Sequence, residues 1–326
     1  MAIPTVERYQ QLFESYRKGL PFSGSPEGLY APVNYILELG GKRLRPAMAM
    51  LGYGLYRPDV EKALPLAYAV EIFHNFTLVH DDIMDAASLR RGKPTVHALF
   101  GENTAILSGD VMLIFAYEYL LQSEQRHLPG ILATFNQVAR EVCEGQQMDM
   151  EFEQRPQVSI PEYLRMIELK TAALLAGSLC IGATAADAPA EDVQRLDRFG
   201  RQSGTAFQLQ DDILDTFGEG GKVGKKIGGD IAQNKKTFLW LKALELASPA
   251  QRERLQALAL ARPADQQEKI QEVTALYQQL GVLEYALAEK QRFLEMAFAD
   301  LDALHCPEAH KEPLRILADM LSNREH

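Results

Sequence analysis

The chain has 326 residues, 47% of them hydrophobic, which is enough to bury a large core. A net charge of −10 and a pI near 5.3 exclude a general nucleic-acid binder, so the few basic clusters stand out. Three cysteines, Cys143, Cys180 and Cys306, show no pairing pattern and read as buried thiols in a reducing compartment. The N-terminal segment has no apolar signal core, so the expected location is the cytoplasm.

Helical periodicity predicts elements over 5–18, 28–39, 44–56, 60–85, 103–123, 128–153, 161–184, 191–217, 235–247, 250–261, 265–279, 281–304 and 311–322. Breaks fall at Gly40-Gly41, Pro58, Gly92-Lys93-Pro94, Pro129-Gly130, Pro156, Pro189, 218–224 and Pro307. Strand signals are scarce, and no βαβ pattern occurs. The longest uncharged run, 171–186, is shorter than a typical membrane span and reads as a buried helix. No polar linker divides the chain. The expectation is one all-α domain over 1–326, a large bundle with buried central helices.

Chemistry enters first at GGKRLRP, 40–46. There Lys42, Arg43 and Arg45 follow a glycine break at a helix start, an arrangement that suits an anion. His74 and His80 lie seven and one residues before Asp81 on the segment that holds LVHDDIMD, which carries Asp81, Asp82 and Asp85. LRRGKPT, 89–95, adds Arg90, Arg91 and Lys93. EGQQMD at 144–149, Lys170-Thr171 and Gln208 are polar groups on apolar helices and weak signals alone. LQDDILD then carries Asp211, Asp212 and Asp215 at the same i, i+1, i+4 spacing. Five lysines among glycines follow at 219–236 and suggest a mobile flap.

Positions i and i+4 share a helix face, and like charges there are destabilising. Both aspartate clusters are set in apolar sequence, and buried carboxylates need cations. Six hard oxygen donors suit Mg²⁺, which usually keeps waters and is completed by phosphate oxygens. The expectation is two acidic helix faces that share divalent metals and an anionic ligand. The basic clusters that follow each aspartate motif favour phosphate recognition, although any one alone could be a solvated loop. No GxxxxGK[ST] loop is present.

GGKRLRP, HNFTLVHDDIMD, LRRGKPT, Lys170-Thr171, FQLQDDILD and GKKIGGDIAQNK follow the order of the trans-type isoprenyl diphosphate synthases, the polyprenyl synthetase family. The chain resembles its short-chain members over roughly 28–240. The resemblance implies an all-α bundle around a deep central cavity, and a homodimer. It implies condensation of isopentenyl diphosphate with an allylic diphosphate, with about three Mg²⁺ per site. Asp81, Asp82, Asp85, Asp211, Asp212 and Asp215 would hold metal. Lys42, Arg43, Arg45, His74 and Arg91 would take isopentenyl diphosphate. Arg90, Lys170, Thr171, Gln208, Lys226 and Lys235 would take the allylic diphosphate. No nucleic acid and no stable membrane span are expected.

Two departures stand out: the first motif is the short DDxxD, and the C-terminus SNREH lacks the basic tail of some relatives. In the family, residues five and four before the first aspartate gauge product length; here they are Phe76 and Thr77. One aromatic favours the C20 product, geranylgeranyl diphosphate, over its close rival, the C15 farnesyl product. A terpene cyclase would carry a different second metal motif. A regulatory subunit would have lost aspartates or arginines, and a nucleotide pyrophosphohydrolase would not need GGKRLRP or LRRGKPT.

Overall fold

The computed structural model describes residues 3–218, 227–260 and 266–322. Its regular structure is almost entirely helical, and the chain forms two compact units. The first comprises Met1–Gln137, Leu174–Asp197 and Leu304–Leu314; the second comprises Val138–Ala173, Arg198–Ala303 and Arg315–His326. Several crossings fall inside continuous helices, including Leu128–Gln154 and Ala190–Phe217. No polar linker could therefore mark them.

In the first unit the helix Leu64–Met84 is apolar nearly all round and is buried from Leu66 through Phe73. Such a helix must lie inside a bundle. Its start is sharpened by Pro65 in the first turn, after a short 3-10 turn over Val60–Ala63. Two glycines let other backbones meet. A Cβ on Gly52 would lie 2.2 Å from the Leu179 carbonyl oxygen, and one on Gly182 only 1.9 Å from that of Ala49. The helices Leu44–Gly54 and Ala173–Ala185 therefore cross in direct backbone contact.

In the second unit the core joins Phe152, Tyr163, Ile167, Leu209, Ile213, Phe238, Leu255, Val273, Tyr277 and Val282. A Ser159–Glu162 capping box starts the helix Ile160–Ile167. The helix predicted over 161–184 is interrupted by a π turn at Glu168–Ala172. The stretch Ile160–Ala185 is long and apolar enough to cross a membrane, yet 83% of its apolar window is buried inside the protein.

Three smaller expectations are corrected. Residues 89–94 form a two-stranded hairpin, Leu89–Arg90 against Lys93–Pro94. The helix predicted from 235 starts at Phe238, because Gly229–Ala232 forms its own short helix and a turn follows. Cys180 is buried as expected, but Cys143 is exposed and Cys306 half-buried.

Candidate active site

Within each aspartate motif the helix separates neighbours by about 100°, so the three carboxylates do not share one environment. In the first unit Asp82 is 1% exposed, Asp81 is half-buried and Asp85, the C-cap of its helix, is exposed. Asp82 accepts from Arg90 Nε at 3.0 and 2.8 Å and from Nη2 at 2.8 Å. This fork on a carboxylate fixes the guanidinium and, with it, the hairpin. The turn is closed further by Thr95 Oγ1 donating to Ala87 O at 2.7 Å and Tyr35 Oη donating to Pro94 O at 2.7 Å.

The basic groups of the first unit divide into two kinds. Arg43 is 4% exposed and has a left-handed backbone, φ 47°. It donates to Glu14 at 2.7 Å, to the buried Glu71, and to Leu37 O at 2.6 Å. Its fork is taken up by protein carboxylates, which corrects its expected place among the substrate contacts. Arg45 is different. It donates through Nη1 to His74 Nε2 at 3.1 Å, while its Nε is enclosed without a hydrogen-bond partner among the described residues. Burial, outweighing the Glu71 charge and reinforced by Arg91, pushes the Arg45 guanidinium down to about 10. Burial and the surrounding Arg45, Arg91, Arg90 and Arg43 charges hold the His74 imidazole well below its usual range. His74 is thus neutral, with Nε2 as acceptor. Arg91 donates to the Gly40 carbonyl and rests on the glycine turn of GGKRLRP. Cations this crowded, one with an orphaned buried donor, have the chemistry to receive an anion. Lys42 is exposed on the same turn, and its carbonyl accepts from Gln10 at 2.6 Å.

The second unit holds an open pocket of about 160 Å³. Lys170, Thr171, Gln208, Asp212, Asp230 and Lys235 are among its lining residues, so the structure brings together most of the predicted primer contacts. Lys170 and Thr171 sit on the π turn, an irregularity common at functional sites. Lys170 donates to Asp149 at 2.5 Å, and Thr171 Oγ1 to Gln208 Oε1 at 3.3 Å. Asp212 is buried, accepting from the Tyr163 hydroxyl and from Gln208 Nε2 at 3.2 Å. Burial and the nearby Asp230 charge push its carboxyl up to about 7. Asp211 is half-buried. Asp215 accepts the Asp230 backbone N–H at 2.9 Å, so it holds the base of the Gly229–Ala232 helix. Lys226 lies outside the described residues.

Among the described residues, no three His, Cys, Asp or Glu side chains converge into a cage. The donor set still fits Mg²⁺, which takes one or two carboxylates and completes its shell with water and phosphate. Tyr163 and Asp149 were not among the predicted contacts. The capping box and the need of a buried tyrosine for a partner were the available signals for Tyr163.

The polyprenyl synthetase family matches residues 26–277. A short chain isoprenyl diphosphate synthase of Methanothermobacter thermautotrophicus is 37% identical over 303 residues, covering 93% of this chain and 92% of that protein. A geranylgeranyl pyrophosphate synthase of Geoglobus acetivorans is 39% identical over 303 residues, 92% of each chain. A crystal structure of a geranylgeranyl pyrophosphate synthase superposes with a TM-score of 0.94 at 39% identity, covering 98% of this chain and 99% of that one. The motif order, the all-α architecture and these matches agree: the chain belongs to the polyprenyl synthetase family and is a trans-prenyltransferase.

Proposed function

We propose that the chain condenses isopentenyl diphosphate with allylic diphosphates and stops mainly at geranylgeranyl diphosphate. The observation that carries the product length is the environment of Phe76. Its neighbour Phe73 is 1% exposed and packs on Phe135 at 5.1 Å, as core does. Phe76 is only half-buried, between Phe73 at 5.6 Å and His80 at 4.8 Å. A bulky ring on this helix that the core does not fully use is suited to stop a growing tail. Thr77 turns its hydroxyl to His74 O at 2.8 Å and presents little bulk.

The half-buried Asp81 and Asp211, with Asp85, would hold Mg²⁺, supported by Asp82, Asp212 and Asp215. Bound Mg²⁺ would supply the charge that stabilises a departing pyrophosphate. Arg90, Lys170, Thr171, Gln208 and Lys235 would orient the primer diphosphate, and Lys226 belongs to the same assignment by motif. Lys42, Arg45, His74 and Arg91 would hold isopentenyl diphosphate. The neutral His74 there accepts a hydrogen bond from Arg45 and keeps that guanidinium aimed. We assign the enzyme to the cytoplasm. We also propose a homodimer formed through the helix Glu102–Leu120 and its C-cap Leu121, where Leu107, Ile114 and Leu121 stand 59%, 57% and 58% exposed at seven-residue spacing.

Mass spectrometry of products, from isopentenyl diphosphate with C5, C10 or C15 primers, tests the proposal. The parent should accumulate C20. Phe76→Ala should lengthen the product by at least one C5 unit, and Thr77→Phe should shorten it. An unchanged distribution from folded Phe76→Ala protein would move the floor elsewhere, to residues 111–120 or Met148. Steady-state kinetics should separate the two diphosphates. Arg45→Gln should raise KM for isopentenyl diphosphate about ten- to hundredfold, and Lys170→Gln that for the primer, since each removes a charge-assisted contact. If Arg45→Gln weakened the primer alone, the assignment would be reversed.

A further inference from the structure

The helix Gln266–Gln279 buries Lys269, Val273 and Tyr277 at 3%, 1% and 2% exposure. These positions are i, i+4 and i+8, so an ammonium occupies one place in an otherwise apolar stripe. A charge so placed is unfavourable unless it is matched. Among the described residues its hydrogen bond goes to Asn234 Oδ1. Burial lowers its pKa from the usual lysine value.

Asn234 is exposed and adopts a left-handed backbone, φ 57°. It lies in the turn after Gly229–Ala232, which is closed by Asn234 N–H to Ile231 O at 3.2 Å and Lys235 N–H to Asp230 O at 2.9 Å. Asp230, Asn234, Lys235 and Thr237 form the wall shared by two cavities. One also carries Lys170, Thr171 and Gln208; the other also carries Lys269, Trp240 and Tyr277. The next residue of the same helix grips the entry to this segment. A Cβ on Gly228, φ 82°, would lie 2.4 Å from Ile270 Cγ2. An exposed turn is thus tethered from behind by two consecutive residues.

We infer that Lys269 is a positioning residue: its ammonium holds Asn234 and so fixes where Lys235 meets the primer diphosphate. This rests on the assignment of Lys235 proposed above. Lys269 touches no substrate; it acts by limiting the turn to one conformation, so that ordering Lys235 is not required at each binding event.

Kinetics with a C15 allylic diphosphate and isopentenyl diphosphate, each varied, test it in Lys269→Met, Lys269→Gln, Lys235→Ala and the Lys269→Met/Lys235→Ala double variant, with thermal melts of each. Lys269→Met should raise KM for the primer about tenfold, the scale of one contact, and leave KM for isopentenyl diphosphate within about twofold. Its melting temperature should not fall, because an apolar chain of similar volume suits the site at least as well. Lys269→Gln keeps an N–H donor for Asn234 and should recover most of the primer affinity. Added to Lys235→Ala, Lys269→Met should change primer KM by less than about twofold, as expected when one residue acts through the other. A normal primer KM in Lys269→Met, with a raised one in Lys235→Ala, overturns the inference and leaves the assignment of Lys235 standing. A normal primer KM in Lys235→Ala overturns both. A parallel rise of both KM values with a lowered melting temperature makes Lys269 a packing residue only and also overturns the inference.

Discussion

Asp81→Ala and Asp211→Ala are each expected to cut turnover by about a thousandfold or more, roughly 4 kcal/mol of transition-state stabilisation. Both positions are half-buried, whereas the middle aspartates Asp82 and Asp212 are enclosed. On the metal assignment proposed above, the first residue of each motif is the more accessible to a metal, and its loss should weaken the clamp on a leaving pyrophosphate. The middle positions should respond differently. Asp82→Asn removes the charge and one of the two acceptor oxygens that fix Arg90, so its main effect should be on primer KM, with a smaller loss in turnover. Steady-state kinetics at saturating Mg²⁺ separate these outcomes. Near-normal turnover in both Asp81→Ala and Asp211→Ala, or full activity in EDTA, would remove the metal from the mechanism. Thermal melts give an independent check. Without Mg²⁺, Asp81→Ala should melt at or above the parent, because it relieves the i, i+4 repulsion with Asp85. Mg²⁺ with pyrophosphate should raise the parent's melting temperature more than the variant's, since a ligand stabilises only the state that binds it.

The helices were legible because their apolar faces recur at the helical period over long stretches, and residues 128–153 and 191–217 nearly coincide with Leu128–Gln154 and Ala190–Phe217. The aspartate motifs were legible because carboxylates at i, i+1, i+4 in apolar sequence repel one another and resist burial unless a cation joins them. What stayed hidden depends on local geometry without a local signal. The hairpin at 89–94 turns on Arg91 and Gly92, with φ of 53° and 74°. Two positive φ values are what a two-residue hairpin turn needs, but arginine is not the asparagine or aspartate that advertises it. The π turn under Lys170 has no composition of its own. Another backbone comes close to it at Gly145, and the sequence shows that approach only as a glycine. Arg43 and Arg45 lie two residues apart in one motif, yet one is locked between Glu14 and Glu71 and the other keeps a buried donor unmatched. Spacing could not tell them apart, because the carboxylates that decide are 29 and 28 residues away in sequence. The bounds of the two compact units carry no linker signal for a related reason, since several crossings lie within helices.

Gly145→Ala is expected to lower turnover about ten- to hundredfold, although residue 145 carries no functional group. A Cβ there would lie 2.4 Å from the Lys170 backbone nitrogen, 2.8 Å from its Cα and 2.9 Å from the Leu169 carbonyl carbon. All three are backbone atoms, so no side chain can swing aside. The π turn must move or the helix Leu128–Gln154 must shift. Either displaces Lys170 from Asp149, its partner at 2.5 Å, and from Thr171 and Gln208 around the cavity. A misplacement of about 1 Å in such a group can cost about a hundredfold in rate. Forcing a methyl into a full site also costs about 1–3 kcal/mol of stability. Gly28→Ala is the matched control. It lies in the first turn of Glu27–Glu38, and a Cβ there would meet nothing within 4 Å. That exchange should keep activity and gain up to about 1 kcal/mol, the ordinary helical preference for alanine. The contrast is read from kcat, primer KM and melting temperature of the two variants side by side. If Gly145→Ala were as active and as stable as Gly28→Ala, close backbone approach would not be what holds Lys170 in place. The π turn would then have to be maintained by its own hydrogen bonds and by the packing of Leu169 and Ala172, which are buried on either side.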